Sequence, residues 1–305
     1  MIPEEVSIMR ILLLGKNGQV GWELQRALAP LGEVLALDRN NGGNLTDLAG
    51  IKQHILEYRP HVVVNAAAYT AVDKAESEHD VAVLVNHKAV EEMAAACKSI
   101  NALFVHYSTD YVFSGEGEQF WSETDNVKPV NVYGHTKLQG EQAIAASGCK
   151  YLIFRTSWVY AAKGNNFAKT MLKLASSLRE LSIINDQFGS PTGAELVADV
   201  TAQVVRSTLS SPNKAGLYHL VASGETTWCD YAKHIFDFAQ KEGYKLKVET
   251  VKGIPTTQYP TPAKRPLNSR LNCSKLENNF GLSMPHWALG VNRMLTEVLE
   301  KNNEK

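Results

Sequence analysis

Cysteine and the motifs that depend on it are scarce in this sequence. Its 305 residues include four cysteines, with no CxxC pair among them, and nine histidines, with no HExxH pair. Neither a disulfide framework nor a zinc site is therefore predicted. We expect free thiols and a cytoplasmic location, because thiols stay reduced there.

Charge of one sign and long apolar runs are also lacking. Lys and Arg total 31 against 32 Asp and Glu, a net charge of −1, so a nucleic-acid partner is not expected. The longest apolar runs, such as 11–15 and 61–69, are far shorter than the roughly 20 residues of a membrane helix, and no membrane association is expected. The acidic start does not resemble a signal peptide. Residues 1–8, ahead of Met9, are interpreted as a leader of unknown role, preceding an alternative start or left over from cloning.

What remains is typical of a globular chain of alternating strands and helices. Hydrophobic residues make up 44% and charged residues 21% of the sequence, as in globular domains. Continuously apolar runs, typical of strands buried on both faces, alternate with helix-like stretches of about 10–20 residues. This order predicts an α/β fold, a doubly wound parallel Rossmann sheet with a smaller C-terminal α/β substrate lobe. The predicted strands are 10–15, 33–38, 61–65, 102–108, 150–156 and 181–186.

The alternation stops near residue 210, and this sets the predicted domain boundaries. We expect a dinucleotide-binding Rossmann domain over 9–155, re-entered by 181–210. A substrate-binding lobe would contain 156–180 and 211–301. The second part of that lobe includes a Pro- and Arg-rich stretch at 255–270, which breaks the regular βα order.

A glycine-rich turn separates the first predicted strand from the first predicted helix. Gly15, Gly18 and Gly21 form GxxGxxG. In a dinucleotide fold such glycines make the tight turn, let the backbone approach the pyrophosphate, and let the helix pack on the strand. The helix N-terminus attracts the phosphates. Asp38 closes the second strand, where the same fingerprint places a ribose ligand, so a nicotinamide cofactor is predicted.

Two neighbouring residues favour different cofactors. Asp38 would accept hydrogen bonds from the adenosine ribose hydroxyls, whereas Arg39 could pair with a 2′-phosphate. An Asp in this position is also a common turn residue, which stays an alternative for Asp38. The expected cofactor is therefore NADH or NADPH.

A second motif predicts proton transfer. Tyr133 and Lys137 form YxxxK at the start of a predicted helix, and residues four apart lie on one helical face. A cation near a phenol favours the phenolate. Thr109 ends the fourth predicted strand, at the carboxyl edge where open α/β sheets bind ligands. The alternatives are a surface Tyr–Lys pair and a capping role for Thr109.

Together these motifs resemble the extended short-chain dehydrogenase/reductases, and within them the dTDP-4-dehydrorhamnose reductase family. The resemblance extends from Gly15 to about Asn272. It rests on stretches such as NAAAYTAVDKAE from Asn65, HYSTDYVFSG from His106, NVYGHTKLQGE from Asn131 and YPTPAKRPLNSRLN from Tyr259.

The resemblance implies a reaction and the residues that perform it. Hydride would pass from NADH or NADPH to C4 of a dTDP-linked 6-deoxy-4-keto sugar, giving dTDP-L-rhamnose for cell-surface polysaccharide such as O-antigen. Tyr133 would donate the proton, Lys137 would lower the Tyr133 pKa and hold the ribose, and Thr109 would assist. The implied cofactor contacts are Gly15, Asn17, Gly18, Gln19, Val20, Asp38, Arg39, Asn44, Leu45, Ala68, Tyr69, Thr70, Tyr107 and Lys137. The implied substrate contacts are Thr109, Asp110, Trp158, Arg265 and Arg270, with an ordinary ion pair as the alternative for each arginine.

The resemblance also implies an assembly. It suggests a homodimer, in which Mg²⁺ could be held at the interface by Glu23, Glu195 and Glu297. Glutamates on solvated helix faces are the alternative.

Two other functions stay open. A dehydratase or epimerase of the same superfamily is one, although such dehydratases generally carry Thr-Asp-Glu where this chain has Thr109-Asp110-Tyr111 and lacks the second carboxylate. A cofactor-binding regulatory subunit is the other. Turnover of NADH with the keto sugar distinguishes a reductase from such a subunit.

Overall fold

The computed structural model describes residues 8–303, so the predicted leader lies outside the described residues except for Ile8. The strands, numbered along the chain, are β1 (Arg10–Leu14), β2 (Glu33–Leu37), β3 (Val62–Asn65), β4 (Leu103–Thr109), β5 (Lys150–Thr156), β6 (Val159–Tyr160), β7 (Glu180–Ile184), β8 (Phe188–Gly189), β9 (Thr192–Gly193), β10 (Gly216–His219), β11 (Thr226–Thr227) and β12 (Thr250–Ile254).

The α-helices alternate with these strands. They are α1 (Gln19–Leu28), α2 (Leu48–Tyr58), α3 (Val72–Ala75), α4 (His79–Val83), α5 (Ala89–Ser99), α6 (Val132–Ser147), α7 (Phe167–Ala175), α8 (Ala194–Ser210), α9 (Trp228–Lys241), α10 (Ser274–Phe280) and α11 (Trp287–Asn303). A π-helical turn, Leu84–Lys88, joins α4 to α5, and short 3₁₀ turns occupy Ala29–Leu31, Asp110–Val112, Pro212–Lys214 and Thr256–Gln258.

The central sheet is parallel throughout and has the order β10-β5-β4-β3-β1-β2. Helices α1 and α8 pack together on one face, and α2, α5 and α6 form the layer on the other. Alternate residues of the inner strands reach the two faces, so Leu13 belongs to one apolar cluster and Leu12 to the other. The predicted Rossmann-type α/β fold is confirmed.

The sheet differs from the prediction at its outer position. The strand predicted at 181–186 is observed as β7, but β7 pairs with β12 in a separate two-stranded parallel sheet. The sixth strand of the central sheet is β10, which pairs with β5. Alternation of strands and helices does not reveal which sheet a strand joins, because that depends on partners far away in sequence.

Outside the central sheet, a second apolar core forms around α7, α9 and α11. It contains Ile183 from β7 together with Phe236 and Val291 from two of these helices. This packing supports a separate substrate lobe, and the boundaries at which the chain divides stay a prediction. Across residues 8–303, no helix is both long and apolar enough to cross a membrane.

Candidate active site

A cavity of about 920 Å³ opens at the carboxyl ends of the central strands. Its walls come from the turn after β1, the ends of β2 to β5, helix α6 and the start of α9. Parallel sheets bind ligands at this edge because the connections after adjacent strands diverge there. The predicted catalytic residues and most of the predicted cofactor residues therefore converge on one cavity.

The glycine-rich turn has the geometry that its sequence predicts. Gly15 has φ +87°, and a Cβ there would lie 2.7 Å from the backbone nitrogen of Ala67. A Cβ on Gly21 would lie 2.0 Å from the Gly15 carbonyl oxygen, so this glycine permits the close approach of α1 to the turn. Gly18 caps α1 without a side-chain hydrogen bond, which leaves the first N–H groups of the helix available to an anion.

Asp38 directly follows β2 and borders the cavity. Its carboxylate accepts hydrogen bonds from Asn17 Nδ2 at 2.7 Å and from the Asn40 backbone N–H at 2.8 Å, and it lies 3.5 Å from Lys16 Nζ. The Asn40 N–H is the largest influence that lowers the pKa of Asp38, and Lys16 also lowers it. Arg39 is exposed at the same rim. Both the turn role and a ribose-facing position are compatible with this arrangement.

The catalytic end of the cavity combines Tyr133 with Thr109 and Asp110. Burial raises the pKa of Tyr133 to about 12, a hydrogen bond with Thr109 lowers it, and the Asp110 charge raises it. Thr109 Oγ1 donates to Asp110 Oδ1 at 3.0 Å. Burial also raises the pKa of Asp110 to about 6, against hydrogen bonds with Ser269 and Thr109. Tyr133 thus keeps its proton at neutral pH and can donate it.

Lys137 lies one turn after Tyr133 on α6, and its ammonium group contacts residues other than Tyr133. Its Nζ is 2.6 Å from the Tyr107 carbonyl oxygen and 3.1 Å from His106 Nε2. Burial lowers the pKa of Lys137 to about 8, and Glu141 opposes that change. The resemblance implies that Lys137 lowers the Tyr133 pKa. In the structure burial raises that pKa above its ordinary value, and Lys137 is not among the groups that shift it.

Most implied contact residues border the cavity, and two do not. Tyr69 donates its hydroxyl to Glu78 at 2.6 Å and is not among the described lining residues. Arg270 is paired with Glu225 and lies over the Phe188 ring, also away from the described lining. Arg265 does border the cavity while its Nη2 bonds Asp73 at 2.8 Å. Both arginines thus make ion pairs, the alternative for each, and only Arg265 is also placed to reach a ligand.

Several lining residues carry no motif and were missed from sequence. Phe167 and Trp228 enter from α7 and α9, and Thr156 and Ser157 come from the end of β5. In the described part of the chain, the hydroxyls of Ser108, Thr156 and Ser157 are buried without a hydrogen-bond partner. Buried polar groups are usually satisfied, so these hydroxyls, together with the open glycine turn, fit a polar ligand such as a nicotinamide dinucleotide with a sugar. The position of Thr156 as the last residue of a predicted strand, with Ser157 directly after it, was the available signal.

The three glutamates of the implied metal site also come together, at a second cavity of about 260 Å³. Burial raises the pKa of Glu23, and Glu195 and Glu297 raise it further. Within residues 8–303, however, no group of three or more His, Cys, Asp or Glu side chains could hold a metal ion.

The chain is similar to known proteins over nearly its whole length. A family model described as RmlD substrate binding domain matches residues 9–300. The dTDP-4-dehydrorhamnose reductase of Escherichia coli (strain K12) is 57% identical over 293 residues, covering 95% of this chain and 98% of that protein. Its counterpart from Salmonella typhimurium is also 57% identical over 293 residues, with the same coverage of both proteins.

A solved structure supports the same relationship. The dTDP-4-dehydrorhamnose reductase of Bacillus anthracis, in complex with NADP, matches with a TM-score of 0.88 at 35% identity. The match covers 95% of this chain and 99% of that one. Because both the family model and these relatives extend over nearly the whole chain, it belongs to the dTDP-4-dehydrorhamnose reductase family.

Proposed function

We propose that this protein reduces the C4 keto group of dTDP-4-dehydrorhamnose to give dTDP-L-rhamnose, with NADH or NADPH as the reductant. The observation that carries the proposal is the convergence of the glycine turn and the Tyr133–Thr109 pair on one cavity. Relatives that are 57% identical bear the name of this activity. The product would supply rhamnose-containing cell-surface polysaccharide such as O-antigen.

The residues of the cavity have distinct tasks in this reaction. The glycine turn and Asp38 would hold the pyrophosphate and the adenosine ribose of the dinucleotide, whose nicotinamide would supply the hydride for C4. Tyr133 gives its hydroxyl proton to the carbonyl oxygen as negative charge develops there. Thr109, hydrogen-bonded to Tyr133, steadies the phenol and adds a second polar contact for that oxygen. Burial keeps water away, which strengthens both interactions in the transition state.

The described catalytic end of the cavity has one carboxyl group where dehydratases generally use two, which disfavours dehydration. Among the described lining residues, the carboxylates are Asp38 at the cofactor rim and Asp110 beside Thr109. Tyr111 occupies the position of the second carboxylate of the dehydratases, and its ring packs edge-on against Tyr133 at 5.7 Å between centroids. A single buried carboxyl group, with its pKa raised by burial, is suited to binding a hydroxyl group of the sugar.

A direct assay tests the proposed function. The purified protein is incubated with dTDP-4-dehydrorhamnose and NADPH or NADH, and the decrease in absorbance of the reduced cofactor is followed together with formation of dTDP-L-rhamnose. We expect turnover with both cofactors. Cofactor binding without turnover would instead favour the regulatory subunit. In a parallel incubation with NAD⁺, loss of water from a dTDP-hexose that still carries its C6 hydroxyl would favour a dehydratase.

We further propose that the protein acts as a cytoplasmic homodimer. The four cysteines are free thiols, which supports a reducing compartment. Burial, and after it repulsion from Glu195 and Glu297, raises the Glu23 pKa, and a cation such as Mg²⁺, shared with ligands from a second copy, would relieve that repulsion.

A further inference from the structure

Two tryptophans from distant parts of the chain form a stacked pair in the wall of the main cavity. The Trp158 and Trp228 rings have centroids 3.6 Å apart and planes 14° apart. Both residues border the cavity. Phe167, a third lining residue, packs on Trp228 with a centroid distance of 4.5 Å. The three rings therefore form a continuous apolar wall between the catalytic end and the lobe.

The backbone around Trp158 is arranged for this position. Trp158 has φ +48°, in the left-handed region, which a bulky residue adopts only when its surroundings hold it there. Its indole lies against the backbone of Gly189, where a Cβ would come within 2.7 Å of Trp158 Cε2. The ring consequently has contacts with Gly189 and with Trp228, and it has little room to move.

Trp228 is itself anchored by a chain of hydrogen bonds. Its Nε1–H donates to Gln187 Oε1 at 3.1 Å, and Gln187 Nε2 donates to Thr256 Oγ1 at 3.1 Å. Thr256 Oγ1 in turn donates to Asp186 Oδ1 at 2.6 Å. Each N–H or O–H in this series of hydrogen bonds has an acceptor. Gln187, in the middle of the series, is only 4% exposed. The indole of Trp228 is thus tied to the segment that joins β7 to β8.

We propose that Trp228, anchored through Gln187, is a positioning residue that holds Trp158 in place as the apolar wall for the sugar of the substrate. This inference rests on the proposed function. An indole ring offers an apolar surface, and the apolar parts of a 6-deoxy-4-keto sugar are its C–H groups and its C6 methyl. The wall fits those parts, and the glycine turn that would hold the cofactor pyrophosphate lines the same cavity.

The volume-conserving variant Gln187→Met tests the anchor because it keeps both indoles and removes the acceptor for Trp228. Stacked indoles couple their electronic transitions, so the wild-type protein should show a paired positive and negative signal in circular dichroism. We expect Gln187→Met to weaken that signal and to raise the KM for the keto sugar roughly tenfold, with kcat and the Kd for NADPH within about twofold of wild type.

Trp228→Leu removes the stacking surface and should give the same KM change. The matched control is Trp287→Phe, since Trp287 is a buried tryptophan of the lobe core, in contact with Tyr231 and away from the main cavity lining. Trp287→Phe should leave the KM for the keto sugar unchanged.

An unaltered KM in both test variants, or an equal loss of NADPH affinity, would overturn the proposal. If wild type does not reduce the keto sugar, the proposed function fails. The dichroism and the Kd for dTDP-L-rhamnose, relative to that for dTDP, in the same variants still decide whether Trp228 positions Trp158 against a sugar.

Discussion

Burial governs the chemistry of the residues around Tyr133. The phenol keeps its proton because its pKa is raised to about 12, with burial as the main cause. Thr109 and Asp110 adjoin it in a hydrogen-bonded row. Tyr133 is therefore a protonated phenol in the resting protein, not a phenolate, and it can donate its proton.

Replacing Tyr133 by Phe should remove the proton donor without disturbing the fold. We expect kcat to fall by roughly 10²–10⁴-fold while the cofactor still binds, since general acid catalysis contributes about that much. The control is Tyr58→Phe, at the end of α2 and away from the described lining of the main cavity. A Tyr133→Phe variant with near-normal kcat would remove Tyr133 from its role.

Asp110 should make stability depend on pH in a defined direction. Burial raises its pKa from 3.8 to about 6. Between those values the folded protein holds a proton that the unfolded chain has released, so ionisation of Asp110 destabilises the fold as the pH rises through that window. Asp110→Asn should therefore gain stability relative to wild type between pH 4 and pH 7, by up to about 3 kcal/mol at 1.36 kcal/mol per pH unit. Urea unfolding of both proteins at each pH measures this difference, and a constant difference would contradict it.

At the scale of elements, the junction of β1 and α1 depends on the absence of a side chain at Gly21. Added at this position, a Cβ would meet the backbone of Gly15 at 2.0 Å. Because backbone cannot move aside like a flexible side chain, Gly21→Ala should destabilise the protein by roughly 3 kcal/mol, the upper part of the range for overpacking.

Gly18→Ala is the matched comparison for stability. The nearest atom to its added Cβ is 3.4 Å away, an ordinary contact. We expect its midpoint of urea unfolding to stay close to that of wild type, whereas that of Gly21→Ala falls. Equal midpoints for the two variants would show that the helix adjusts without cost.

The loop after β2 should set the choice of cofactor. The Asp38 carboxylate is oriented by Asn17 and Asn40, and Arg39 is exposed beside it. Because solvent weakens exposed charge interactions, neither residue should dominate, and kcat/KM for NADH and NADPH should agree within roughly tenfold. Asp38→Ala should shift the ratio toward NADPH and Arg39→Ala toward NADH. A native preference above about a hundredfold would show that one residue outweighs the other.

At the scale of the whole molecule, removal of the proposed Mg²⁺ from the second cavity should dissociate the dimer. Sedimentation of the protein with Mg²⁺ should give the mass of a dimer, and EDTA should lower it if the glutamates share a cation across the interface. Glu195→Gln should lower the mass without EDTA for the same reason. An unchanged mass in EDTA would count against the metal bridge and leave the dimer to other contacts.

Short-range patterns in the sequence determined much of this protein. Continuous apolar runs predict β1 to β5. The inner strands β1, β3, β4 and β5 are largely buried on both faces and therefore have few polar side chains, whereas β2 lies at the edge of the sheet and is mostly half-buried. The glycine spacing predicts the turn at Gly15, since only glycine takes its positive φ without strain. The spacing of Tyr133 and Lys137 places both on α6 facing one cavity. Each of these features depends on residues within a few positions of one another.

Tertiary structure alone decided the rest. Whether 181–186 or β10 completes the central sheet depends on pairing with distant strands. The stack of Trp158 on Trp228 joins residues from two separate elements, and no local pattern predicts that contact. The direction of the Tyr133 pKa also follows from burial by the whole surrounding fold. The desolvation of a side chain and its packing depend on contributions from many segments of the chain. They can be determined only when those segments have been brought together.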